Sequence, residues 1–283
     1  MTRFKYSYNA IVYYQEDIAR GIERVAKFGY DAIELVGEPA QHDPGRIRSL
    51  TANNGVTVSS ICSIWSGAER DLVHPDATNR QSAVDYGKAV VDFAAEVGAS
   101  TVIVGPSPVG KVAALADPEQ EWAWAVENVA AIGEHAAGVG VEITLEPWNR
   151  YETYFLNRLE QAVSLVEETG LANAGVHGDL FHMNIEELSI PQAFRRAGSL
   201  VNHVHLADST RAAPGTGHID FAAVLKALDE IGFSGHLTFE LLPAASDPFA
   251  MMARGGHLEF LDPYTEQSIE RLKDVEKELW PDA

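Results

Sequence analysis

Along most of the chain, short runs rich in β-branched and aromatic residues alternate with longer amphipathic stretches, and the hydrophobic period switches each time from two to about 3.6. FKYSYN precedes an amphipathic stretch from Asp17 to Phe28, DAIELVG one from Pro44 to Asn53, and VTVSSICS one from Asn79 to Val97. STVIVG is followed by Pro118 to Ala137, VEITLEP by Leu159 to Thr169, and AGVHGDL by a helix expected from about Asn184 to Ala197. VNHVHLAD with Phe221 to Ile231, and GHLTFELL with Tyr264 to Leu279, complete eight strand–helix units. Glycines 29, 55, 98, 138, 140, 170, 198 and 232 fall shortly before the next strand, where helices commonly stop. Eight parallel units most simply close into a (β/α)₈ barrel of the α/β class; an open, doubly wound sheet is the alternative.

With 283 residues, 46% of them hydrophobic, the chain can bury a sizeable core, and no linker or low-complexity tract divides it. One domain spanning residues 1–283 is therefore expected. The net charge of −20 opposes binding to phosphate backbones and anionic membranes, so neither nucleic acid nor membrane is expected as a partner. Cys62 is the only cysteine, which excludes an intramolecular disulfide. The opening MTRFKYSYNA lacks the basic-then-apolar build of a secretory signal, which points to the cytoplasm.

The candidate chemistry gathers in the second half. Glu146, Asp179, His205 and Glu240 each sit where a strand-like run breaks into a loop. In a barrel these positions converge on one face. Each has a simpler reading alone: Glu146 as a solvated strand end, Asp179 as a cap on the following turn, His203 and His205 as core or rim histidines. Together they favour one divalent-metal site, since three carboxylates and an imidazole suit manganese, magnesium, cobalt or zinc. His205, nearer the strand end than His203, is the better ligand. Tyr6, Tyr8, Glu34, Cys62 and Trp65 also lie near strand ends and are weaker pocket candidates, because aromatic strand residues usually belong to the core.

LEPWNRYET (Leu145 to Thr153), GDLFHMNIEE (Gly178 to Glu187), HVHLADSTRAAPGTGHIDF (His203 to Phe221) and TFE (Thr238 to Glu240) together resemble the xylose-isomerase-like barrels. Within these, they resemble the ketose 3-epimerases of the tagatose and allulose type. The resemblance implies that Glu146, Asp179, His205 and Glu240 bind one metal, manganese foremost, while Glu146 and Glu240 double as the acid/base pair. It also implies that Glu152, His182 and Arg211 contact a small-molecule sugar, and that the protein forms a homo-oligomer, a dimer or tetramer.

The expected reaction is 3-epimerisation of a free ketose through a cis-enediolate. An isomerase, dehydratase or lyase acting on an inosose or 3-keto-sugar is the competing expectation. A metal-dependent endonuclease is a remote one, opposed by the charge. No P-loop-like phosphate cradle is visible, which favours an unphosphorylated substrate. The long stretch from Leu241 to Pro263, including Arg254, is expected to overhang the site as a lid or to form a subunit interface.

Overall fold

In the computed structural model, eight parallel strands follow one another around a closed barrel in sequence order. The structure describes every residue except Met1, Tyr14, Ala244, Ser246, Asp247, Asp282 and Ala283. The strands are β1 (Lys5–Asn9), β2 (Ala32–Gly37), β3 (Thr57–Ser63), β4 (Thr101–Val104), β5 (Glu142–Leu145), β6 (Ala174–Asp179), β7 (Val201–Leu206) and β8 (His236–Phe239). Pairing of β1 with β8, from Lys5 opposite His236 to Tyr8 opposite Phe239, closes the sheet and rules out the open doubly wound alternative.

The helices are α1 (Ile18–Lys27), α2 (Pro44–Asn54), α3 (Ala77–Val97), α4 (Pro118–Val139), α5 (Leu159–Thr169), α6 (Leu180–Glu186), α7 (Ile190–Ala197), α8 (Phe221–Glu230), α9 (Pro248–Ala253) and α10 (Leu261–Leu279). Aspartates at 17, 43, 76, 117 and 220 cap α1, α2, α3, α4 and α8, accepting backbone N–H groups that the first turn leaves unpaired. Strands such as TVIV in β4 are buried along their whole length, as expected for a parallel sheet covered by helices. Among the described residues, no helix is long and apolar enough to cross a membrane.

Two expectations need correction. The single helix expected from Asn184 to Ala197 is two helices, α6 and α7. Asp179 starts α6 directly at the strand end, while Pro191, lacking an N–H, sits in the first turn of α7 and forces a fresh start there. The stretch from Leu241 to Pro263 is also not a free lid. It carries α9 and the start of α10, and it buries Met252 and His257. His257 and Leu242 help enclose a void of about 10 Å³ against Tyr8 and Tyr264, and Gln15 Nε2 donates to the Ala253 carbonyl at 2.6 Å. Arg254 is exposed.

β6 and β7 meet with a register shift: Val176 pairs with Val201, but His177 pairs with His203 and Asp179 with His205. The extra residue, Asn202, reaches Glu142 and the Ile143 carbonyl of β5. Because side chains alternate along a strand, this one-residue bulge is what sets both histidines of β7 opposite His177 and Asp179.

At the end of β4 the backbone approaches Trp148 so closely that a Cβ on Gly105 would lie 2.2 Å from the indole. Gly105→Ala should destabilise the fold by about 1–3 kcal/mol through this overlap, read as a lower Tm. An unchanged Tm would show that the indole can yield freely.

Candidate metal centre

Alternation along each strand decides which side chains enter the barrel. On β1, Tyr6 and Tyr8 face the helices: Tyr6 Oη donates to Glu276 of α10 at 2.5 Å, and Tyr8 stacks on Tyr13. Ser7 and Asn9 point the other way, toward Ser59 and Glu240. Trp65 is buried against Tyr86, its indole donating to the Ile103 carbonyl. Of the weaker pocket candidates, only Glu34 and Cys62 reach the site.

Glu34 is the important one, and its role was not legible in the sequence. Its two carboxylate oxygens lie 2.7 Å from His203 Nε2 and 2.7 Å from His205 Nε2. Against its complete burial, the two imidazoles hold this carboxyl well below the usual range. With Nε2 of His205 committed to Glu34, Nδ1 turns toward the strand ends, 3.7 Å from Asp179 Oδ2 and 3.4 Å from Glu240 Oε2.

Glu146, Asp179 and His205 offer donor atoms within 4.8 Å of one another, all from buried side chains. Glu240, the fourth expected ligand, is not one of these three but places Oε2 3.4 Å from His205 Nδ1. Asp179 divides its two oxygens. Oδ1 accepts from the Phe181 and His182 N–H groups, capping α6, while the buried Oδ2 has no hydrogen-bond partner. His205 Nδ1 is likewise unpartnered.

Separations of 3.4–3.7 Å are too long for hydrogen bonds. They suit donors converging on a cation about 2.0–2.2 Å from each. Against burial, the charges of Glu34 and Glu240 carry His205 well above the ordinary imidazole range. A field that favours a proton there also favours a metal ion. The carboxylate-rich donor set therefore fits a divalent cation.

The expected substrate contacts lie around these donors. Arg211 forms an ion pair with Glu240 and lies 3.4 Å from Asp179 Oδ2, closer to the ligands than a clamp at the barrel mouth would be. His182 Nδ1 accepts from Asn149 Nδ2 at 2.8 Å, and Arg211 Nη1 lies 3.3 Å from Nε2. That nitrogen faces Glu146 Oε1 at 3.9 Å and Asp179 Oδ2 at 4.0 Å. Burial keeps His182 below the usual imidazole range and therefore neutral. Asn149 also donates to Glu152 Oε1 at 2.8 Å, linking Glu152 to His182 through one amide. Asn149 lies inside the LEPWNRYET motif, but its type and spacing alone did not single it out.

Burial pushes Glu146 well above the carboxylate range, and the charges of Glu240 and Asp179 add to this despite His205. Asp179, in contrast, is held well below that range against its burial, foremost by the charge of Arg211. Cys62 Sγ lies 3.9 Å from Glu240 Oε1, and burial keeps it a thiol.

Residues 22–275 match the family model described as "Xylose isomerase-like TIM barrel". The chain belongs to the xylose isomerase-like TIM barrels. Within this family it is 32% identical over 228 residues to a protein of Mesorhizobium japonicum named L-ribulose 3-epimerase, covering 80% of this chain and 76% of that one. A 3-dehydro-D-guloside 4-epimerase of Escherichia coli is 26% identical, with 83% and 91% covered. The D-psicose 3-epimerase of Clostridium cellulolyticum, solved with D-tagatose, superposes with a TM-score of 0.86 at 25% identity, covering 96% of this chain and 99% of that one. These relatives are named as epimerases, which are isomerase-class enzymes.

Glu34→Gln leaves one acceptor for two imidazole N–H groups and loosens the orientation of His205. Metal affinity should fall by roughly 10–100-fold, measured by competition with a chromophoric chelator while circular dichroism reports an intact fold. Unchanged affinity would remove Glu34 from this role.

Proposed function

We propose that the protein is a divalent-metal-dependent ketose 3-epimerase, with Glu146 and Glu240 as its acid/base pair and Glu146, Asp179, His205 and Glu240 as its metal ligands. The observation that carries this reading is the convergence of two glutamates on an Asp–His donor pair at the strand ends, with donor atoms spaced for one cation. The resemblance to named ketose 3-epimerases supports the choice of reaction.

The chemical problem is a C–H beside a carbonyl, too weakly acidic for an unaided carboxylate. When bound, the cation supplies Lewis-acid stabilisation of the negative charge that develops on the substrate oxygens. One glutamate removes the proton from C3, giving a cis-enediolate. The other, protonated beforehand, returns a proton to the opposite face, so the pair exchanges protonation states and C3 is inverted. His182 Nε2 and the Arg211 guanidinium, 3.3 Å apart, face the substrate oxygens together, and Glu152 acts through Asn149 and His182. Manganese is the first cation to supply, and a free rather than phosphorylated ketose the first substrate class.

A second reading is favoured by one observation, the similarity to a named 3-dehydro-D-guloside 4-epimerase. The same apparatus acting on a 3-keto-glycoside would exchange the hydrogen at C4, again the carbon that follows the carbonyl.

A panel of free ketoses, inososes and 3-keto-glycosides, assayed with manganese in deuterated water, distinguishes the readings by product and by the carbon that gains deuterium. Ketose inversion with deuterium at C3 is expected. Chelation should abolish turnover and added manganese, cobalt or magnesium restore it; full activity in metal-free protein would defeat the metal role.

Glu146→Gln and Glu240→Gln should each lower turnover by at least ~10², with losses that do not add. Hydrogen exchange without inversion in either variant would mark the glutamate still working. Near-normal turnover in both would sink the two-base mechanism.

A further inference from the structure

We infer that Asn9 is a positioning residue for Glu240, fixing the plane of that carboxylate for proton transfer on its face of the substrate. The inference rests on the epimerase reading and adds to it a residue outside the motifs of the second half.

Asn9 ends β1 and is fully buried. Barrel closure aligns Tyr8 with Phe239, so the next residue on each strand, Asn9 and Glu240, meet at the same level. Asn9 Nδ2 donates to Glu240 Oε1 at 3.1 Å. The other end of the amide is also committed, because Asn9 Oδ1 accepts from the Ile11 N–H at 2.8 Å. Turning the amide over would point its NH₂ at a backbone N–H and its oxygen at a carboxylate. Both contacts would become repulsive, so the donor stays aimed at Glu240.

The consequence is a carboxylate with two distinct oxygens. Oε1 is tied to Asn9 and faces Cys62, while Oε2 faces His205 and Arg211. Glu146 is held differently. Its neighbours are Trp148 and the imidazoles of His177 and His182, at 3.6 and 3.9 Å. Loosening Asn9 should therefore impair proton transfer on one face of the substrate and spare the other.

Two variants separate this role from a structural one. Asn9→Asp has nearly the same shape and still accepts from Ile11, but when ionised it repels Glu240 instead of donating to it. Asn9→Leu loses both contacts. With wild-type enzyme and manganese, Asn9→Asp should keep its metal content and Tm yet lose at least ~10-fold in kcat, with KM altered less than about threefold. In deuterated water, exchange at C3 should slow for one epimer of the substrate pair and persist for the other.

If Asn9→Asp matches the wild type while Asn9→Leu is impaired, Asn9 serves only the turn at Ile11 and the inference is overturned. It is equally overturned if Asn9→Asp loses its metal and excess manganese restores full turnover, since Asn9 would then be supporting the ion. Absence of epimerase activity in the wild type would instead overturn the functional reading itself.

Discussion

The hydrogen-bonded seam between β1 and β8 is the constraint on which the site depends. It makes neighbours of Asn9 and Glu240, 231 residues apart in the chain, and it completes a ring of parallel strands whose ends cannot spread. Three carboxylates set this close repel one another, most strongly where burial lowers the effective dielectric. In an open sheet, or on flexible loops, that repulsion would separate them. Here it acts against a closed ladder of backbone hydrogen bonds and a packed core, so the mutual repulsion persists as a field that attracts a cation.

Within that ring the same device recurs: a side chain is anchored by one polar atom and offers the other. Asp179 caps α6 with Oδ1 and leaves Oδ2 without a hydrogen bond beside Arg211, while His205 gives Nε2 to Glu34 and leaves Nδ1. His182 takes the Asn149 amide at Nδ1 and directs Nε2 toward Glu146 and Asp179. The anchors fix ring tautomers and carboxylate planes, so little reorganisation remains when a ligand arrives.

Strand order, barrel closure and the placing of Glu146, Asp179 and His205 at strand ends were legible in the sequence because each follows from a local signal: a period change, or a polar residue at the end of an apolar run. The anchors were not. Glu34 reads as one more acid in DAIELVG, and only the closed barrel sets the inward face of β2 against that of β7, where both histidines reach it. On β1, aromaticity drew attention to Tyr6 and Tyr8, whereas period two already places Ser7 and Asn9 on the opposite face from them. The break between α6 and α7 was obscured because apolar residues continue through it; Pro191 marks the restart. The stretch from Leu241 to Pro263 lacks any long periodic run, so its packing over Tyr8 became visible only in three dimensions.

Among the described residues, Arg211 alone of the non-glycine residues has a positive φ, 61°. An L-residue held there costs about 1–2 kcal/mol. The turn that imposes it is tied by Asp208, whose carboxylate accepts from the N–H groups of Ser209, Gly215 and Ile219, and by the Leu242 N–H, which donates to the Arg211 carbonyl. Glycine at this position would relax the backbone and lose the guanidinium; lysine would keep a charge and the backbone cost but lose the planar fork. No single exchange improves both properties at once. The backbone of this turn and the arginine it carries therefore act as one unit: any exchange at this position alters the cost of the conformation and the charge beside Glu240 together.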